Sequence, residues 1–243
     1  MIFESDKFVF QPPSAVAAAR RVLIKPDVGY SVPYPVTTSR RLIASIIDGI
    51  RRVSDADIVV LDGTRTGESV IPNFQALGYD FPRVLMLDVK DCIWVEVDNP
   101  LPKPLAVPAF WIPNVILSSD YLISVTPLKV AGGKGNLSIP NLMSLLPTKK
   151  YAEAEGGWDA LLELGIDKVI ADLYFTLPFD MGIIEASQRL DYDDDPTSGV
   201  AKDVGKIFVG DPFQVDKEVS ETLGIRTDYL QLIRLAESGM DTI

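Results

Sequence analysis

The stretch "RVLIKPDVGYSVPYPVTTSRRLIASIIDGIRRVSDADIVVLDG" (residues 21–63) decides the fold class. It opens with "RVLIKP" (21–26), a continuous apolar run stopped by a proline, as in a buried strand. Its middle, "TTSRRLIASIIDGIRRV" (37–53), sets Leu42, Ile43, Ile46, Ile47 and Ile50 at helical spacing, with Thr38 or Ser39 placed to cap the first turn. It closes with a second apolar run, "ADIVVLDG" (56–63). A strand, a helix and a strand on this scale predict a crossover unit whose strands lie parallel in one sheet.

The same alternation continues outward. Pro72 opens a helix over "IPNFQALGY" (71–79), and "RVLMLDV" (83–89) and "CIWVEVD" (92–98) read as strands, the second alternating as an edge strand does. Five prolines between Pro100 and Pro113 predict an irregular excursion at about 99–113. Strand character resumes in "VILSSDYLISVTP" (115–127). Residues 158–178 read as largely helical, and "MGIIEAS" (181–187) and "KIFVG" (206–210) as buried strands. Helices over 212–224 and 227–239 are each closed by a glycine, Gly224 and Gly239. The expectation is one α/β domain over 1–243, with a mostly parallel central sheet, mixed at one edge, and helices on both faces.

Composition narrows the chemistry. The 243 residues are 47% apolar and carry a net charge of −11, so a nucleic-acid binder with a basic face is not expected. There is no histidine, which rules out a His-based metal site and a Ser-His-Asp triad. The single cysteine, Cys92, excludes an intramolecular disulfide and a Cys-ligated iron–sulfur cluster. The first 21 residues lack the basic start and apolar run of a signal peptide, and the most apolar segment, "LAVPAFWIPNVIL" (105–117), is too short to span a bilayer. A cytoplasmic protein is expected, with no membrane partner. That apolar segment also suggests a homodimer contact, unless it packs on its own domain.

In open α/β sheets, ligands bind beyond the carboxyl ends of the strands. Lys25 and Asp27 follow the first strand, Asp62 the second, Thr126 and Lys129 the "YLISV" strand, and Asp211 the "KIFVG" strand. If all run parallel, these six groups share one rim. Next to it, "SVTPLKVAGGKGN" (124–136) combines Lys129 and Lys134 with Gly132, Gly133, Gly135 and Asn136. Such a loop exposes N–H groups and suits a small phosphate or carboxylate; alternatively it is a surface loop, since no P-loop pattern is present. Arg40 and Arg41 open a helix, where they either face water or help to hold an anion. "DYDDDP" (191–196) is no EF-hand, because Pro196 and Lys202 stand where that loop needs Gly and Glu.

The order of these segments resembles the family catalogued as domain of unknown function 362. "VLIKPD" with "TTSRRLIASII", then "SSDYLISVTPLKVAG…IPNLMSLLP", then "MGIIEAS…TSGVAKDVGKIFVGDPFQVDKEVSETLG" carry the likeness over roughly 20–240. The resemblance implies shared site candidates at Lys25, Thr38, Lys129, Asn141, Asp211 and Asp216. Where the family has His after the lysine matching Lys129, this chain has Val130; Pro140 precedes Asn141 where the family has Lys, and Asp27 replaces an Asn. Relatives often carry a Cys-rich ferredoxin-type module, which one cysteine cannot supply.

Three functions are consistent with the sequence. The first is an enzyme on a small phosphorylated or carboxylated substrate, with Lys129, Asp62 or Asp211 as catalytic groups and Lys25, Asp27, Thr38, Gly132, Gly133, Lys134, Asn136 and Asn141 binding. The second is a non-catalytic ligand-binding or assembly protein. The third is an enzyme holding magnesium through Asp62, Asp211 and the 191–195 carboxylates.

Overall fold

A computed structural model describes residues 1–152, 158–177 and 179–240. The strands are β1 (Ile2–Glu4), β2 (Arg21–Lys25), β3 (Asp57–Asp62), β4 (Val84–Asp88), β5 (Trp94–Asp98), β6 (Ala109–Pro113), β7 (Tyr121–Ala131), β8 (Lys134–Asn136), β9 (Met181–Tyr192) and β10 (Val200–Gly210). The helices are α1 (Ser14–Ala18), α2 (Arg40–Arg51), α3 (Ile71–Ala76), α4 (Asn114–Leu117), α5 (Asp159–Glu163), α6 (Ile166–Thr176), α7 (Pro212–Leu223) and α8 (Asp228–Met240).

The main sheet runs β1-β10-β9-β7-β2-β3-β4, with β8 folded back on β7. Five neighbours, β9, β7, β2, β3 and β4, are parallel. At the other side of the sheet, β10 lies between the edge strand β1 and β9 and runs antiparallel to both. The expected mostly parallel α/β sheet, mixed at one edge, is what the chain forms.

Alternation along the strands sorts side chains onto two faces. Val22, Ile24, Ile58, Val60 and Ile123 meet α2 on one face. Leu23, Val59, Leu61 and Leu122 meet α6 and α8 on the other. Ser39 caps α2 by accepting from the Leu42 N–H. Gly224 ends α7 in the left-handed conformation at φ 64°, which costs a glycine little. Gly239, expected to close the last helix, lies inside α8 instead.

Several elements differ from the sequence reading. The proline-rich excursion contains a regular strand, β6, which pairs with β5 in a separate two-stranded sheet. Its start is fixed by the buried Asp172 carboxylate on α6, which accepts from the N–H groups of Leu105, Ala106 and Val107 at 2.7–3.0 Å. Phe110, Ile112 and Ile116 then sit in the core, so the segment offered as a dimer contact packs on its own domain. Residues 115–117 are helical, in α4, rather than the start of a strand. Residues 158–177 form two helices, broken at Gly165 with φ 93°, and Pro178 lies outside the described residues.

Beyond the parallel rim, β7, β9 and the antiparallel β10 extend the sheet. β7 passes through Pro127 to Ala131, and β9 follows it after a register shift opposite Pro127 and Leu128. The 124–136 stretch is therefore a strand and a hairpin, β7–β8, turned at Gly132 and Gly133, rather than an open loop.

Candidate functional site

Above the carboxyl ends of β2 and β3, and against the extended part of β7, lies a cleft of about 310 Å³. Its floor is polar: Asp27, Asp62, Lys129, Asn136, Asn141 and Ser144. Its opposite wall is apolar, with Met143 and Trp158 beside Leu162 and Ile170 of α5 and α6.

Two buried lysines reach this region, in different states. The Lys25 ammonium donates to the Pro26 carbonyl at 2.6 Å, to Asn141 Oδ1 at 2.7 Å and to Asp62 Oδ1 at 2.8 Å. An ammonium has three N–H bonds, so Lys25 is fully used. Asp62 is equally saturated, accepting also from the Ser144 hydroxyl and from the N–H groups of Gly63 and Val28. Burial pushes the Asp62 carboxyl above its ordinary range, and the Lys25 ammonium pulls it back.

Lys129 lies further out on β7. Among the described residues its ammonium makes one contact, to Asp27 Oδ2 at 2.6 Å, although the side chain is 5% exposed. Asp27 Oδ2 accepts also from the Asn136 amide at 3.2 Å. Two Lys129 N–H bonds and Asp27 Oδ1 thus have no protein partner among the described residues. Thr38 fixes the position of Asp27: its hydroxyl donates to the Val125 carbonyl and accepts from the Asp27 N–H. Asn141 ties the β2 and β7 ends together through the Lys25 and Val125 carbonyls and the Ser124 hydroxyl.

The remaining candidates stand elsewhere. Asp211 follows β10, whose C-terminal Gly210 pairs with Gly182 near the start of β9. It is therefore at the opposite end of the sheet, where it caps α7 by accepting from the Gln214 N–H. The one-rim expectation assumed a parallel β10. Thr126 is buried, with its hydroxyl on the Pro127 carbonyl. Lys134 points to Asp167 at 2.7 Å and Asp228 at 3.1 Å. Gly132 and Gly133 border a separate groove beside Asp191 and Lys202. Of the N–H groups expected to cradle an anion, Gly135 donates to the Arg226 carbonyl. Asp216 is buried and holds the 138–139 turn, accepting from Ser138 N, Ser138 Oγ, Ile139 N and the Tyr229 hydroxyl at 2.6–3.0 Å. Arg40 pairs with the exposed Asp80. Asp191 pairs with Arg189 and Lys202, while Asp195 caps a 3₁₀ turn. Among the described residues no three Cys, Asp or Glu side chains come together as a metal site.

The structure adds Arg65, Tyr30 and Tyr192 to the cleft. Arg65 lies on the β3–α3 connection, exposed, with no acidic partner among the described residues. Burial raises the phenol pKa of Tyr192 and Asp27 adds to it, while Arg65 opposes them. Burial likewise raises Tyr30, against the charge of Lys129. Arg65 follows the "VVLD" strand end and was open to the same rim reasoning as Asp62. Tyr192 lay concealed in what reads as a solvated acidic loop.

The lactate racemase apoprotein from Thermoanaerobacterium thermosaccharolyticum has a similar fold, with a TM-score of 0.55 at 13% sequence identity over 90% of this chain. The chain spans about half of that protein, 53% of its length. No curated protein matches the sequence. Among the described residues, no helix is long and apolar enough to cross a membrane. The family model for "Domain of unknown function (DUF362)" matches residues 22–221, and the chain belongs to that family.

Proposed function

We propose that the cleft binds a small anion, carboxylated or phosphorylated, and that the Lys129–Asp27 pair acts on it as an acid–base couple. The observation that carries this reading is the contrast between the two lysines. Lys25 has all three N–H bonds engaged within the protein, whereas Lys129 has one engaged and faces a cleft. A ligand oxygen accepting the free Lys129 N–H bonds forms charge-assisted hydrogen bonds, each contributing about 1.5–3 kcal/mol. Asp27 Oδ1 is positioned to take a proton from the bound molecule, with Lys129 stabilising the negative charge that develops. Lys25, Asp62, Asn141 and Thr38 hold that pair in place.

The neighbour of similar fold is named for its reaction on lactate, a small carboxylate. That belongs to the same chemical class without selecting a substrate here. A non-catalytic binding protein is the alternative, favoured by Val130, which is packed in the core where the family has His.

The test is a thermal-shift series with acetate, phenylacetate, succinate, inorganic phosphate and glycerol phosphate on the wild type and Lys129→Met. Binding to the native state raises Tm by mass action. At least one anion should stabilise the wild type, and Lys129→Met should lose that response. A wild type indifferent to the whole series contradicts the proposal. Substrate turnover that disappears in Asp27→Asn, while binding persists, separates the enzyme from the binding protein.

A further inference from the structure

We infer that the ligand is a monocarboxylate with an apolar body of about ring size, its carboxylate held between Lys129 and Arg65 and its body against the Met143–Trp158 wall. This rests on the reading that the cleft binds an anion. Three observations carry it further.

The first is charge. Lys25 and Asp62 neutralise each other at 2.8 Å, as do Lys129 and Asp27 at 2.6 Å. Arg65 is then the one cation of the lining that has no acidic partner among the described residues. One uncompensated positive charge matches one negative charge on a ligand. A phosphate monoester carries about −1.5 to −2 at neutral pH and would leave part of it unmatched in a site with two carboxylates nearby.

The second is donor geometry. A guanidinium presents a planar fork that matches the two oxygens of a carboxylate. Lys129 adds point-charge donors from the floor of the same cleft.

The third is the wall. Trp158, Met143 and Ile170 are nearly buried, and Leu162, 36% exposed, continues the apolar surface toward solvent. A wholly polar ligand would leave this surface in contact with water. The volume of about 310 Å³ lies at the small end of the range for small-molecule sites, about 300–1,000 Å³. That suits one ring and a short acidic arm rather than a nucleotide.

The experiment measures affinity by calorimetric titration with phenylacetate, acetate, succinate, inorganic phosphate and the neutral phenylacetamide. Wild type, Arg65→Gln and Leu162→Asp are compared. Both substituted positions are exposed, and an unchanged circular dichroism spectrum and Tm without ligand confirm folding. Phenylacetate should bind tightest. Arg65→Gln should weaken it by about tenfold or more, and Leu162→Asp should remove its advantage over acetate. Phosphate or succinate binding as tightly as phenylacetate, or an Arg65→Gln affinity equal to that of the wild type, overturns the inference while the anion site stands. A wild type that binds none of the four anions overturns both.

Discussion

Lys25 directs its three N–H bonds at Pro26, Asn141 and Asp62, so Lys25→Met leaves the Asp62 carboxylate buried without its cation. The expected loss is about 3–5 kcal/mol of stability, read by urea denaturation. Lys129→Met should cost less, because Asp27 lines the cleft and regains water there. Equal losses would show that the two lysines do the same work. Strand-end position makes both lysines legible in the sequence. It does not distinguish a saturated ammonium from a half-used one, because the difference lies in Asn141, 116 residues from Lys25. Glu185 gives a separate test at this scale. Burial pushes its carboxyl from the ordinary 4.5 up to about 7, against the hydrogen bonds from Ser39. The folded state therefore holds a proton that the unfolded chain releases between those values. Stability from this group is fully present below about pH 4.5 and is lost as pH rises through about 7. Glu185→Gln should flatten the decline, by on the order of 1–3 kcal/mol between pH 5 and 8. A wild type that gains stability over that range relative to the variant would contradict the assignment.

The strands β9 and β10 extend well past the apolar cores "MGIIEAS" and "KIFVG" visible in the sequence. Their outer halves, "QRLDY" and "VAKDV", are too polar to announce a strand, and they are strands because they pair with β7 and with each other. Pro127 would ordinarily end a central strand, yet β7 passes it at the register shift, where a missing N–H is tolerated. This extension carries Lys129 above the rim and Tyr192 to the cleft, so the site depends on the element least legible in the sequence. The helix α7 contributes through Asp216, which anchors residues 138–139 two positions before Asn141. Asn in its place keeps one acceptor oxygen for four donors. Asp216→Asn should cost about 2 kcal/mol or more, measured by denaturation, and should weaken the response to anions through displacement of Asn141. Full stability with a full response would make the anchor dispensable.

At the scale of the whole chain, the parallel sheet and the two-faced helical cover follow from the strand–helix alternation, because continuous apolar strands require burial on both sides. The antiparallel direction of β10 was not legible, since nothing in "KIFVG" encodes which way it runs; that is why Asp211 caps a helix away from the cleft. The net charge of −11 sets the long-range field, which repels an anion until it reaches Arg65 and Lys129. Salt should therefore accelerate association: raising ionic strength from about 0.01 to 0.15 M shortens the screening length from about 30 to 8 Å. Stopped-flow binding of phenylacetate should show an association rate that rises with salt. A fall would mean that the cleft's own field prevails over the body of the protein. The anion site is tested most directly by the crystal structure of the protein soaked with 4-bromophenylacetate, located by the anomalous signal of bromine. Bromine is expected against the Met143–Trp158 wall, with the carboxylate within hydrogen-bond reach of Lys129 and Arg65. Bromine outside the cleft, or a carboxylate turned away from both cations, would contradict that placement.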